Sequence, residues 1–263
     1  MGALLKAVIA AVKLVSAEEI MPRYLKVAHQ RKSDGSLCTE ADLAAQGALT
    51  KKLQAILNVP VLGEEMPSAL QRELWMAGHD GLWCIDPIDG TSNFVRGLPY
   101  FAVSVALVRA GETAMGVVYD PVANEMFAAE YERGAFLNGE KLVGREAVAD
   151  LAQSMACVDM KRLKKKLAAR LAAEPPYSSQ RNFGASALDW CYTAAGRYDM
   201  YLHGGQKLWD YAAGSLILSE SGGHACCIEN DDFAQCDIWL RSVIAARDKQ
   251  LFEEWKSWIR AQQ

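Results

Sequence analysis

Residues 83–94 read Trp83-Cys84-Ile85-Asp86-Pro87-Ile88-Asp89-Gly90-Thr91-Ser92-Asn93-Phe94. An apolar strand here runs into two carboxylates, three positions apart across a proline. Pro87 fixes φ and removes a donor, so the chain turns sharply as the strand ends, and both carboxylates can face one point together with the Ile88 carbonyl. Carboxylates that converge in this way repel one another unless a cation lies between them. Hard oxygen ligands suit Mg²⁺ or Mn²⁺ rather than zinc, which takes His or Cys. Gly90 permits close backbone approach, and Thr91 to Phe94 form the first turn of a helix whose free N–H groups can hold a phosphate. An EF-hand loop does not fit, because Pro87-Ile88 breaks the alternate spacing of its oxygen ligands. Read alone, the stretch also fits an Asp-Pro turn that caps a helix.

On either side of this segment the texture is that of one sheet. Short apolar runs at 59–62, 82–85, 102–108, 114–119 and 125–130 are punctuated by Gly81, Gly111 and Asp120-Pro121. Their short connections predict a largely antiparallel sheet. Ahead of it, Leu4, Val8, Ala11, Val12 and Val15 recur at helical spacing, as do Leu43, Ala44, Gly47, Leu53 and Leu57, and the polar stretch 30–36 separates the two helices. Asn138-Gly139 and Gly144 mark loops, and residues 147–153 form the expected seam between halves 1–146 and 147–263 of a single domain. Beyond the seam, strands are expected at 154–158 and 242–246 and helices at 160–173, 185–195, 209–221 and 248–261, an alternation that favours α/β layering. The basic run 161–167 carries Leu163 and Leu167 at spacing four and reads as an amphipathic helix with a solvated face, not a nucleic-acid patch.

Composition narrows the function. With 51% hydrophobic and 23% charged residues the 263-residue chain is an ordinary globular protein. A formal net charge of −4 does not fit a protein whose primary ligand is nucleic acid. A small anionic substrate would then need local positive charge or a metal. The seven cysteines show no C-x-x-C spacing, so neither a disulfide framework nor a zinc site is expected, and a reducing cytoplasm fits best. Lys6 and Lys13 interrupt the apolar residues 3–17, which argues for a helix over a signal peptide. No run approaches a membrane span, so a soluble protein with no membrane partner is expected.

Two further acidic segments stand out. Gly63-Glu64-Glu65 follows the strand at 59–62, and Trp209-Asp210-Tyr211-Ala212-Ala213-Gly214 opens a helix with Asp210 expected at its N-cap. Each is ordinary alone: Glu64 fits a surface acid and Asp210 a structural cap. Together with Thr39-x-x-Asp42 at the end of 32–42, Asp86 to Phe94, Gly184-Ala185-Ser186-Ala187 and Glu220-Ser221-Gly222-Gly223, they resemble the inositol monophosphatase family over nearly the whole chain.

The resemblance implies an α/β protein of five layers, αβαβα, with an antiparallel-rich first sheet and a smaller second sheet. It implies hydrolysis of inositol monophosphate or a similar small phosphorylated polyol by water activated with Mg²⁺, two or three ions per site, Mn²⁺ able to substitute. Lithium sensitivity and a homodimer are further implications. Carried over by position, Glu64, Asp86, Asp89 and Asp210 would be metal carboxylates and the Ile88 carbonyl a further ligand. Thr91 with Glu64 would orient and deprotonate water, and Asp42 would support Thr91 or a weakly held third metal. The N–H groups of Gly90 and Thr91 would bind phosphate, and Ala185, Ser186 and Asp210 would lie by the alcohol.

Nucleotide 3'-phosphatases and histidinol-phosphate phosphatases share these carboxylates and are the alternatives, although Asn93-Phe94 after Ser92 looks more like the inositol branch. A catalytically silent binding protein is a reading of another class, against which the intact acids argue. His203 departs from the pattern of animal inositol monophosphatases, which carry a substrate-contacting glutamate seven residues before the helix-opening aspartate. A neutral imidazole offers one acceptor and one donor where a carboxylate accepts twice. Either His203 reaches the substrate or it belongs to a loop before Gly204-Gly205.

Overall fold

The computed structural model describes residues 1–26, 29–31, 37–143 and 150–263. The first half runs through α1 (Ala3–Val15), β1 (His29–Arg31), β2 (Leu37–Thr39), α2 (Glu40–Ile56), β3 (Val61–Gly63) and α3 (Ser68–Ala77). It continues with β4 (Leu82–Asp89), α4 (Thr91–Arg96), β5 (Ala102–Arg109), β6 (Glu112–Asp120), β7 (Glu125–Glu130), β8 (Ala135–Leu137) and β9 (Glu140–Lys141). The second half holds β10 (Met155–Asp159), α5 (Lys165–Ala173), β11 (Ser179–Arg181), α6 (Ser186–Ala194) and β12 (Met200–Gln206). It closes with α7 (Leu208–Glu220), β13 (His224–Cys226), β14 (Arg241–Ala246) and α8 (Lys249–Ala261).

Strands β3 to β9 form one sheet in sequence order, and β11-β10-β12-β14-β13 form a second. Successive side chains of a strand point to opposite faces. Along β5, Val103, Val105 and Leu107 therefore pack with Leu5, Val12 and Leu49 of α1 and α2. Ala102, Ala106 and Val108 pack instead with Trp190 of α6 and Ile217 of α7. On the second sheet Cys157 and Tyr201 face this same central helix layer. Ala156, Val158, Met200 and Leu202 face away, packing with Leu167 of α5 and Trp255 of α8. The layers are helix, sheet, helix, sheet, helix, as expected, and α6 and α7 are buried between the two sheets.

Several expectations need correction. The buried face of α2 is Ala41, Ala45, Leu49 and Leu53, whereas Leu43 is 56% exposed. The reason is the start of the helix: Thr39 and Asp42 form a reciprocal capping box that sets its phase. β3 and β4 pair in parallel, joined through α3, so their connection is not short. α3 buries only Gln71 fully and packs Leu74 and Trp75 half-buried against the central core, a short stripe that the apolar pattern of the chain does not make stand out. The expected helix at 160–173 breaks after Met160–Arg162, where Asp159 caps a single 3₁₀ turn. Strands β11, β12 and β13 fall in stretches read as connections, and His203 lies within β12, not on a loop. Cys227 and Cys236 form a disulfide across nine positions, contrary to the reading of the cysteines, because the chain between them folds back. Asn138-Gly139 joins β8 to β9 as a turn. Residues 32–36, Gly144 and the first part of the seam lie outside the described residues.

Candidate active site

The end of β4 builds the centre of the site. Asp86 pairs with Ser104 and Asp89 with Ala102, so three steps on β4 oppose two on β5. In a regular strand two residues three apart point to opposite faces, and the bulge at Pro87-Ile88 cancels that alternation. Both carboxylates consequently lie on the side of the central helices. The main chain fixes them: Asp86 Oδ1 accepts from Ile88 N at 3.0 Å, and Asp89 Oδ2 accepts from Ala187 N at the start of α6 at 2.7 Å.

The third acid arrives from α7. Asp210 is the third residue of that helix, not its N-cap, and its Oδ2 accepts from Lys207 N at 2.9 Å. This places the side chain over the first turn, where Ser104 of β5 donates to Trp209 O at 3.1 Å and ties the helix to the sheet. Ligand oxygens of Asp86, Asp89 and Asp210 all lie within 4.8 Å of one another. Glu64 follows β3 directly, beside β4, with its N–H donating to Ile85 O at 3.2 Å, and its carboxyl hydrogen-bonds Asp86.

Electrostatics describe a site under repulsion. Burial, then Glu64, Asp89 and Asp210, push Asp86 well above the usual carboxylate range. Burial and then Asp210 do the same to Asp89, against the hydrogen bond from Ala187. Burial raises Asp210 to about 7, although Lys207 N–H opposes it. Protons or cations must offset this charge. The donors are all oxygen, without imidazole or thiolate, a set that fits a hard divalent ion such as Mg²⁺ or Mn²⁺.

Around this centre the structure gathers most of the other expected residues. Gly90, with φ of +92°, stands between β4 and α4 in a conformation few side-chain-bearing residues adopt. A Cβ on it would stand 3.1 Å from that of Ala185, so the start of α6 closes directly on this turn. Thr91 Oγ1 lies 3.0 Å from Ile88 O and 3.3 Å from Asp42 Oδ1. Ser186 does not stand free; its hydroxyl hydrogen-bonds Tyr201. His203 is buried, with Nδ1 accepting from Gly205 N at 3.1 Å and Nε2 lying 3.4 Å from Asp159 Oδ2.

Two residues escaped the sequence reading. Asp189 of α6 is buried, accepts from Tyr100 Oη at 2.9 Å and is raised by burial to about 7. Asp159 ends β10 as the partner of His203. Its position at the close of an apolar strand was the available signal; its pairing needs the register of β10 against β12.

The profile of the inositol monophosphatase family matches residues 3–261. The inositol-1-monophosphatase of Caulobacter vibrioides is 35% identical over 240 residues, 88% of this chain and 90% of that protein. A protein of Xylella fastidiosa named Nus factor SuhB is 36% identical over 215 residues, 79% of this chain and 74% of its own. Among solved structures, the extragenic suppressor protein suhB of Bartonella henselae superposes with a TM-score of 0.85 at 26% identity, covering 98% of this chain and 99% of that one. No described helix is long and apolar enough to cross a membrane.

Proposed function

Because the chain belongs to the inositol monophosphatase family, we propose that it is a Mg²⁺-dependent phosphomonoesterase acting on inositol monophosphate or a similar small polyol phosphate. The observation that carries this reading is the convergence of Asp86, Asp89 and Asp210 within 4.8 Å. Glu64, Asp86, Asp89, Asp210 and the Ile88 carbonyl would hold two or three ions, with Mn²⁺ able to replace Mg²⁺. When bound, these ions supply Lewis-acid charge to water and to the phosphate oxygens.

The chain's own groups do the rest. Thr91, held by the Ile88 carbonyl and Asp42, orients the attacking water, and Glu64 shares in taking its proton. The N–H groups of Gly90 and Thr91 point the phosphate at that water. Ala185, Ser186 and the His203 region border the alcohol. A cytoplasmic homodimer sensitive to lithium belongs to the same reading.

A role exerted through a partner is the second reading, favoured by the relative named Nus factor SuhB. Phosphate release with Mg²⁺, and with EDTA, from inositol 1-phosphate, a nucleotide 3'-phosphate and histidinol phosphate separates these. Metal-dependent turnover strongest on inositol 1-phosphate is the expected result. Stronger turnover of either other phosphate reassigns the branch, and no turnover of any leaves the partner role.

A further inference from the structure

Outside the acid cluster, one buried imidazole meets a carboxylate among the described residues. Asp159 and His203 are register partners on β10 and β12. Two positions earlier, their neighbours Cys157 and Tyr201 belong to the core that packs on α6 and α7. By the alternation of a strand, Asp159 and His203 therefore turn toward the same central layer. Asp159 is the last residue of β10, and His203 stands three residues before the end of β12, which passes through Gln206 into the first turn of α7 and Asp210. Arg162, exposed one turn after Asp159, acts electrostatically on both Asp159 and Asp210, so one guanidinium lies within electrostatic reach of both acids.

The hydrogen bonds decide which of the pair can meet a ligand. His203 Nδ1 accepts from Gly205 N at 3.1 Å, so the ring proton of a neutral imidazole lies on Nε2, toward Asp159 at 3.4 Å. Both nitrogens are spent, and the ring is buried. Asp159 takes one bond on each oxygen, from Lys161 N at 3.0 Å and from His203, and its side chain remains 22% exposed. A carboxylate has about four acceptor sites, so acceptor capacity remains on both oxygens.

We propose that Asp159 is a specificity residue that accepts hydrogen bonds from hydroxyls of the alcohol portion of the substrate, and that His203 is a positioning residue that holds it. The inference rests on the phosphomonoesterase reading. His203 then reaches the substrate only through Asp159, which answers the ambiguity left by the sequence.

The test compares inositol 1-phosphate with phenyl phosphate, which has no hydroxyl, on the full chain with Mg²⁺. In Asp159→Asn the ratio of kcat/KM for the two substrates should fall at least tenfold. His203→Ala should lower the same ratio, mainly through KM for inositol 1-phosphate. His203→Gln, whose amide can donate to Asp159, should restore most of it. A ratio unchanged in Asp159→Asn overturns the proposal, as does an equal loss on both substrates. Calorimetric binding of the two phosphates with Ca²⁺ in place of Mg²⁺ separates this outcome from failure of the phosphatase reading. Should the wild-type chain turn over neither phosphate, that reading fails. A tenfold selective loss of inositol 1-phosphate binding in Asp159→Asn would still uphold Asp159; equal loss, or no binding of either, would sink it.

Discussion

The hydroxyl of Thr91 lies 3.3 Å from Oδ1 of Asp42, a residue 49 positions earlier whose other oxygen is already held by Thr39 N–H at 2.7 Å and Thr39 Oγ1 at 2.6 Å. The same carboxylate thus caps α2 and buttresses the turn after β4. Burial raises Asp42 to about 6 against the bonds from Thr39, with Glu65 and Glu64 adding to the rise. Ionised, it accepts from Thr91 with full charge; protonated, it accepts more weakly and can itself donate. Activity should therefore fall as pH drops through about 6, and Asp42→Asn should remove the part of that fall that persists at saturating Mg²⁺. Thr91→Ala should lower kcat on the order of 100-fold with a smaller change in KM. An effect confined to KM would move Thr91 from chemistry to binding.

Metal binding at the acid cluster would be visible without turnover. Carboxylates raised in the folded state are protonated there while ionised in the unfolded chain, so the metal-free protein should lose stability as pH rises from about 4 through about 7. Mg²⁺ should reverse this above pH 7 and act weakly at pH 5, where it must displace protons. At about 100 times its Kd the ion adds about 2.7 kcal/mol, or roughly 5 °C in Tm for a chain of this size. Calorimetry with and without Mg²⁺ at both pH values checks the difference. Asp89→Asn and Asp210→Asn should fold, lose most activity and shrink the Mg²⁺ shift; near-normal turnover in either would defeat the metal assignment.

What was legible in the sequence follows from locality. α1 and α8 show apolar periodicity, and the residues of the β4 turn are adjacent in the chain, so both could be read directly. The phase of α2 could not, because Leu43 looks like core until the capping box at Thr39 sets the rotation. β12 carries Gly204-Gly205 near its end and so resembles a turn, although its pairing with β10 and β14 holds it extended. That Asp86 and Asp89 share a side depends on a bulge against β5, and the Asp159–His203 pair on strands 44 residues apart in register. Such facts live in tertiary pairing, which a linear pattern does not contain.

Asp189 offers a separate pH test inside the core. Burial raises it to about 7, against hydrogen bonds from Tyr100 and Cys157. Its folded pKa exceeds the unfolded value near 3.9, so its contribution is whole below about pH 4 and is lost as pH rises toward 7. The slope is at most about 1.4 kcal/mol per pH unit. Asp189→Asn keeps an acceptor for Tyr100 Oη and removes the titration. Urea unfolding of both proteins in metal-free buffer should show the variant gaining on wild type from pH 4.5 to 7.5. A constant difference between the two curves would mean that Asp189 is ionised throughout.

The position of Asp210 depends finally on how closely α7 approaches the first sheet. Gly116 of β6 faces the helix, and a Cβ there would stand 2.7 Å from Ala213 O and 2.9 Å from Ala213 Cα. Both contacts are backbone, so no side-chain rotation relieves them, and the helix itself must move. Gly116→Ala should destabilise by about 2–3 kcal/mol, toward the upper end for overpacking. Because Ala213 is one turn after Asp210 on the same helix, the displacement should also loosen the acid cluster. The expected signature is a lower Tm together with a several-fold weaker apparent Mg²⁺ affinity, measured at a temperature where the variant remains folded. Gly81→Ala is the control, since the nearest atoms to a Cβ there belong to the Val59 side chain, the closest at 3.0 Å, and Gly81 precedes the opposite end of β4 from the acids. Weakened Mg²⁺ affinity in both variants alike would make the loss a general consequence of instability; weakening in Gly116→Ala alone would tie it to the seating of α7.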